Sequence, residues 1–569
     1  MEKKIQKPRN AFIDGLISRM TLDQKIGAVL TLAFTGIIPE KKAYEYITKY
    51  HCGGLRLTPV AKAGSTIQYV DPKTGSAATK TASHTMAPVC TVSDYKAALD
   101  TLRKVARERP LGIPLHFSFD QEGGTASNFY FAHTFSYPMG LRATNDPKLV
   151  YHVGRAIAEQ GRAIGGHWIH SPDVDINCDP RNPEIGVRAY SDNAEDVATY
   201  AAEMCRGLKD GGVIATAKHF PGRGASIVDA HFEVPTIDVD RETLFNRELY
   251  PYRKLIEQDL IPAIMIAHSI YPAIDPDNVA TVSKPIITGL LREELGFEGV
   301  ITTDSMTMGG ISKRYGVANA CAMALEAGAD LVLMKAQNHL VEDTIATIRS
   351  FVEQGRITME ELDQKVYRIL NVKYEYGLFH DYDQDDSDPE KLFKSSRFIQ
   401  LAKDVARRSV LVCRDEDKLL PLKPEENVLI IEQNNDIYNT PRWHSGMLYE
   451  DCLRYSHNIT LLETGFSWSE EDLNLIKTAL PNYDKVVITN YYRRDVLSNF
   501  EKIIDLLDTT DKKEIIVITD TPYEEISVPH NAKNVVVTFA PTPDSAEAIA
   551  GVLYGKIIPE GIWPVSHHA

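Results

Sequence analysis

Two stretches of this chain hold residues of the kinds that make and break covalent bonds. In Gly299-Val300-Ile301-Thr302-Thr303-Asp304-Ser305-Met306 an apolar, β-branched run ends in a carboxylate flanked by Thr and Ser. A carboxylate held at the end of a buried strand suits a nucleophile, which needs fixed geometry and an ionised state. The same position also suits the N-cap of a following helix. In Lys218–His231, Pro221, Gly222 and Gly224 make a turn that leads to Asp229 and His231, two residues apart. A carboxylate beside an imidazole fixes its tautomer and raises its basicity, giving a proton-transfer group that works near neutral pH. An exposed turn with an incidental Asp and His is the plainer reading of that pair.

Three kinds of chemistry fit these residues. One is glycosyl transfer, with Asp304 attacking a sugar carbon and His231 handling the leaving-group proton. Another is a metal-dependent hydrolase with His167, His170, His219, His268 and Asp304 as ligands and Lys218 bridging. The first expected strand, Ile26–Phe34, contains no His, which counts against that ligand set. A catalytically silent sugar-binding protein is the third.

The elements that must position these residues are legible as alternating apolar runs and helical patterns, the mark of parallel strands joined by helices. Expected strands are Ile26–Phe34, Gly54–Leu57, Pro114–Phe119, Trp168–Ile176, Val213–Ala217, Ala263–Ala267, Val300–Thr303 and Asp330–Met334. Helical patterns at Asp94–Arg107, Pro147–Gly161, Asn193–Lys209 and Asn319–Ala327 separate several of them. Such a series by residue 380 predicts an α/β fold of the (β/α)8 TIM-barrel type over residues 1–380. Polar residues follow the strands: Asp120, Asp175 and Asn177, Lys218 and His219, His268, and Asp304. A barrel builds its site at those carboxyl ends. Ala61–Pro88, rich in Ser, Thr, Ala and Gly, interrupts the pattern as a lid or a solvated excursion over the same face.

Residues 381–399 open with the acidic run Asp381–Asp388 and predict a linker. Apolar runs at Val410–Cys413, Val428–Ile431, Ile459–Leu462, Val486–Thr489, Ile515–Ile518 and Val535–Phe539 then predict a smaller α/β sandwich domain with a mainly parallel sheet over 400–569. No Gly-x-Gly-x-x-Gly follows its first strand, so a nucleotide site is not indicated there.

With 62 Lys and Arg against 78 Asp and Glu in 569 residues, the net charge is −16. Such a chain is a poor partner for nucleic acid or an anionic membrane. Seven scattered cysteines, an odd number without a Cys-x-x-Cys pair, indicate neither a disulfide framework nor a zinc ribbon. No secretory leader or long apolar span is evident, which makes the cytoplasm the expected location.

Four motifs together carry a resemblance. Asp120-Gln121-Glu122-Gly123-Gly124, Asn182-Pro183-Glu184-Ile185-Gly186-Val187-Arg188, Lys218–Gly224 with Asp229-Ala230-His231, and Leu295–Met306 resemble glycoside hydrolase family 3, closest to its β-N-acetylglucosaminidase branch. Gly555–Ser566 resembles the end of the family's second domain. The resemblance implies retaining, exo-acting hydrolysis of terminal β-linked N-acetylglucosamine. Asp304 would be the nucleophile and Asp229 with His231 the acid/base dyad, while Asp120, Arg188, Lys218 and His219 would grip the sugar. No metal or cofactor is implied. A neutral His in place of a second carboxylate would not repel an anion, so phosphate is a possible acceptor and a phosphorylase an alternative. A family 3 β-glucosidase or β-xylosidase, with Glu432, Glu463, Glu524 or Glu525 as acid/base, is the other. Three positions depart from the family pattern. No Arg follows Gly124 closely, Arg223 stands where His is usual, and Ala230 stands where Ser is usual.

Overall fold

The computed structural model describes residues 9–59, 90–124, 126, 127, 129, 132–335, 339–380, 388–434, 444–492, 499–512 and 514–566, with the backbone of 66–70 and 77–81. Its first turn departs from expectation. Thr21 and Gln24 form a capping box, each side chain accepting from the other's backbone N–H, and this starts the helix Leu22–Ala28. The strand expected at Ile26 therefore begins later, as β1, Leu30–Thr35.

The other strands of this sheet are β2 (Gly54–Thr58), β3 (His116–Phe119), β4 (Trp168–Ile169), β5 (Ile214–Phe220), β6 (Ala263–Ile266), β7 (Val300–Thr303) and β8 (Val332–Met334). They run in the order β7-β6-β5-β4-β3-β2-β1-β8, all parallel. Thr302 bridges Leu331, just before β8, and so brings the two ends of the sheet together into a barrel. The expected strand Trp168–Ile176 shrinks to β4 because Pro172 lacks an N–H for the ladder. Pairing resumes at the bridge between Asp173 and Lys218. Helices Val92–Glu108, Pro147–Ala163, Ala194–Asp210 and Val317–Ala327 pack their apolar faces against the sheet in one continuous core. A Cβ at Gly207 would lie 2.2 Å from the Tyr151 carbonyl, so glycine is what lets Ala194–Asp210 cross its neighbour so closely.

Within the insertion expected at Ala61–Pro88, Thr66–Val70 and Ala77–Thr81 pair as an antiparallel hairpin, and the remaining residues through 89 lie outside the described ones. The acidic stretch 381–387 also lies outside them. From Asp388 the expected linker is helical instead. Asp388 caps the helix Pro389–Phe393, accepting from the Glu390 and Lys391 backbones, with Pro389 at its first position. The helix Ser396–Ser409 follows, and it joins two cores: Ala402 and Val405 belong to the barrel's, Ala406 to the next.

The second sheet comprises β9 (Leu411–Asp415), β10 (Val428–Gln433), β11 (Ile459–Thr464), β12 (Lys485–Asn490), β13 (Ile515–Thr519) and β14 (Asn534–Val537). Its order is β9-β14-β13-β12-β10-β11, parallel except for the antiparallel edge β9. Both faces are covered: Val428, Ile430, Val487, Ile516 and Val536 enter one core, Leu429, Ile431, Val486, Val517 and Val535 another. Met139 and Ala143, from a helix of the barrel region, enter that second core. None of the seven cysteines is joined in a disulfide. Among the described residues no helix is long and apolar enough to cross a membrane.

Candidate active site

The carboxyl ends of the barrel strands carry a lattice of buried charge. Asp120, just past β3, pairs with Arg56 from β2 and lies 3.4 Å from His170 Nδ1 and 3.6 Å from Lys218 Nζ. Glu122 pairs with Lys218 and receives both Nε (2.8 Å) and Nη2 (3.1 Å) of Arg188. This is the two-pronged geometry that a guanidinium offers a carboxylate. Burial pushes both carboxyls up, yet the cations outweigh it and hold them down: Arg56 and Lys218 for Asp120, Arg188 and Lys218 for Glu122. Arg188 also lies 3.5 Å from Asp173 Oδ2, and its Nη1 donates to the Glu184 carbonyl at 3.1 Å.

Asp304 ends β7. Ser305 N donates to its Oδ1 at 2.6 Å, while its Oδ2 lies 3.9 Å from both His219 Nε2 and Arg223 Nη2. Burial pushes this carboxyl up, but His268, Arg223, Lys335 and His231 together bring it to about 2, so it is ionised at neutral pH. His219 Nδ1 is 2.7 Å from Asp175 Oδ2. A carboxylate only accepts, so Nδ1 carries the hydrogen and Nε2 is left as an acceptor on the Asp304 side. Burial, reinforced by Arg223, holds His219 neutral.

The loop after β5 supplies the proton-transfer pair. Asp229 Oδ1 accepts from the His231 backbone N and lies 2.8 Å from His231 Nδ1. The loop docks on the residues after β7: Gly309 N donates to the His231 carbonyl at 3.0 Å and Gly310 N to Ala230 at 3.3 Å. A Cβ on Gly309 would lie 2.6 Å from that His231 carbonyl, so only glycine permits the approach. Ala230 is fully buried.

All seven site residues expected from the sequence thus converge on one face. They differ in reach. His231 (35% exposed), Asp120 (23%), Arg188 (16%) and Asp304 (14%) present side-chain surface to the mouth, whereas Lys218 and His219 lie beneath it, almost enclosed.

A glycosyl hydrolase family 3 N-terminal domain model matches residues 21–372. The chain belongs to glycosyl hydrolase family 3. That makes it a glycoside hydrolase by class. Relatives extend the comparison. A beta-hexosaminidase A of Pseudoalteromonas piscicida is 32% identical over 297 residues, 48% of this chain and only half (50%) of that protein's length. A beta-N-acetylglucosaminidase/beta-glucosidase of Cellulomonas fimi is 26% identical over 503 residues, 84% of this chain and 86% of that one. Among solved structures, a family 3 beta-N-acetylglucosaminidase from Paenibacillus sp. str. FPU-7 superposes with TM-score 0.84 at 28% identity, covering 96% of this chain and 99% of that one.

The family 3 departures now have neighbours. Of Thr125–Asn128, the stretch where the absent Arg is usual, residues 125 and 128 lie outside the described ones. Arg56 is the cation that meets Asp120 from β2, and sequence reasoning missed it. Its signal was a lone Arg inside the apolar run Gly54–Thr58, at a position facing into a barrel. Glu122, Glu184 and Arg223 were seen as motif letters without roles. Arg223 is buried and lies 2.8 Å from Glu184 Oε1.

Of the imidazoles of the metal alternative, His219 comes within 3.9 Å of Asp304, but its Nδ1 is bonded to Asp175. His170 faces Asp120, and His268 lies 2.7 Å from Thr281 Oγ1 and 3.1 Å from the Ser305 carbonyl. Among the described residues the groups close enough to hold a cation are Asp173–Asp175–His219 and Glu184–Asp229–His231, with donor atoms within 4.8 Å of one another. A cationic side chain of the protein already reaches each group, Arg188 at Asp173 and Arg223 at Glu184.

Proposed function

We propose that this chain is a retaining exo-β-N-acetylglucosaminidase that works through a covalent glycosyl-enzyme on Asp304. The observation that carries the reading is an ionised strand-end carboxylate beside a partly exposed His231 backed by the buried Asp229 on a glycine-docked loop. In the first step an Asp304 oxygen bonds to the anomeric carbon as the glycosidic C–O bond breaks, and His231 Nε2 gives its proton to the departing oxygen. In the second, His231 takes a proton from water as that water attacks the same carbon and releases Asp304. Two inversions give net retention.

Asp229 keeps the hydrogen on His231 Nδ1, which leaves Nε2 as the working atom. Asp120 and Arg188 hold sugar hydroxyls at the mouth, backed by Lys218 and His219 and by the fixed charges of Glu122 and Arg56. Such prearranged charge stabilises an oxocarbenium-like transition state without reorganising during the reaction. A barrel with the residues beneath the mouth already paired is consistent with recognition of one terminal sugar unit.

A second reading, hydrolysis of plain β-glucosides, is favoured by the Cellulomonas fimi relative, whose name carries both activities. Three of the four second-domain carboxylates offered for that reading are otherwise engaged. Glu432 accepts from the Leu448 and Tyr449 backbones, Glu463 from Asn434, and Glu524 pairs with Arg414. Comparing kcat/KM for an aryl β-N-acetylglucosaminide and the matching β-glucoside tests the choice. A preference of at least about tenfold for the N-acetyl substrate is expected; a preference for the glucoside overturns it. Running both with and without inorganic phosphate, and assaying sugar 1-phosphate, decides whether water or phosphate is the acceptor.

A further inference from the structure

Arg223 replaces a His in the family pattern, and a buried guanidinium requires a counter-charge. Glu184 supplies it, from the segment that also delivers Arg188. The Glu184 side chain is 3% exposed, too enclosed to touch a sugar. Its Oε1 lies 2.8 Å from Arg223 Nη2 and 3.2 Å from His231 Nδ1, and its Oε2 accepts from Ala230 N at 3.3 Å. Burial pushes this carboxyl up, but Arg223 and His231 outweigh it, so Glu184 stays ionised.

We propose that Glu184 is a positioning residue, which shares His231 Nδ1 with Asp229 and holds the loop imidazole as a charged proton donor beside Asp304. The inference rests on the reading of His231 as the acid/base. Two carboxylates on one Nδ1 favour the imidazolium, while Arg223 keeps Glu184 from accumulating uncompensated charge behind it. The backbone that carries this carboxylate is itself held. Asn182 Oδ1 accepts from the Glu184 and Ile185 backbones, and Asn182 Nδ2 donates to the carbonyls of Arg223 and Gly224 at 3.1 Å. Tyr492 of the second domain donates to the Pro183 carbonyl at 3.0 Å. The segment carrying Glu184 is thus stapled to the loop carrying Arg223 and braced from the other domain.

The charged groups around His231 are Asp229 on its own loop, Glu184, Asp304 at the end of β7, and Arg223 behind Glu184; Lys313 reaches the neighbouring Phe232 carbonyl. Removing Glu184 therefore withdraws one of the anions that favour the imidazolium, and the basic limb of the kcat/KM profile moves to lower pH.

The test compares Glu184→Gln with His231→Ala on aryl β-N-acetylglucosaminides that span good and poor leaving groups. For Glu184→Gln the proposal expects a fall of about tenfold or more with a poor leaving group and little change with dinitrophenol, together with the shifted basic limb. An equal fall for every leaving group with an unmoved limb would make Glu184 a structural partner of Arg223 only, and overturn the proposal. Should the single variant leave Arg223 unpaired and unfolded, the double variant Glu184→Gln/Arg223→Gln carries no buried charge there. It must show the same leaving-group dependence and a limb moved in the same direction, by less because the Arg223 cation is gone too, and an unmoved limb overturns the proposal equally. If His231→Ala itself shows no leaving-group dependence, the acid/base reading beneath the proposal has failed instead.

Discussion

Both sheets of this molecule end strands in buried carboxylates, and Asp120, Glu122 and Asp304 of the barrel are held in the opposite state to Glu432 and Asp520 of the second sheet. In the barrel, Asp120, Glu122 and Asp304 sit among Arg56, Arg188, Lys218 and Arg223, which outweigh burial and keep them ionised. In the second sheet, Glu432 ends β10 and Asp520 follows β13. Burial pushes each up to about 7, offset only by backbone N–H groups, from Leu448 and Tyr449 for Glu432 and from Tyr492 for Asp520. Parallel strands in both sheets deliver carboxylates to comparable places. What separates a reactive anion from a structural acceptor is whether neighbouring strands deliver enough cationic charge to outweigh burial and nearby carboxylates.

That contrast breaks most visibly if a barrel cation is removed. Arg188→Ala leaves Glu122 and Asp173 without their guanidinium, and denaturant unfolding should record a loss of about 3–5 kcal/mol. A loss under 1 kcal/mol would mean that the lattice is not held by charge pairing. A smaller effect of opposite sign is expected in the second sheet. The Asp520 carboxyl is raised in the folded state, so the stability linked to it is present below its unfolded value, about 3.8, and is lost as pH rises toward 7. Asp520→Asn keeps the acceptor for Tyr492 N and removes that linkage. The variant should match the parent near pH 4 and exceed it in Tm above pH 7. Asp120, Glu122 and Asp304 run the other way, since depressed groups contribute above their unfolded values and lose that contribution as pH falls. An Asp520→Asn variant that melts below the parent at pH 8 would contradict the comparison.

Much of this was legible in the letters, because parallel strands buried on both faces read as continuous apolar runs. Val300–Thr303 has its expected bounds, and the six runs of the second sheet each became a strand. The misjudged places are those where a local signal competes with the run. Thr21-Leu22-Asp23-Gln24 announces a helix start immediately before apolar residues that look like a strand. Pro172 cuts the fourth strand short, and Asp388-Pro389 begins a helix inside what composition suggests is a linker. In the site, Asp304 and the Asp229–His231 pair were visible as residue types at suggestive places. Arg56, Glu122 and Glu184 were not, since their roles arise from pairing across 64, 66 and 39 residues of chain with Asp120, Arg188 and Arg223. Charge pairing at that separation leaves no local pattern beyond a lone charge in an apolar run, as at Arg56.

The central claim is that Asp304 forms the covalent intermediate. A fluorinated N-acetylglucosaminyl donor that slows release of the glycosyl-enzyme, followed by peptide mass spectrometry of the digested protein, tests it most directly. The predicted result is one added sugar on the peptide spanning Gly299–Met306, located on Asp304 and absent in Asp304→Asn. A sugar recovered on another carboxylate, or turnover of the donor with no adduct on any, would contradict the account.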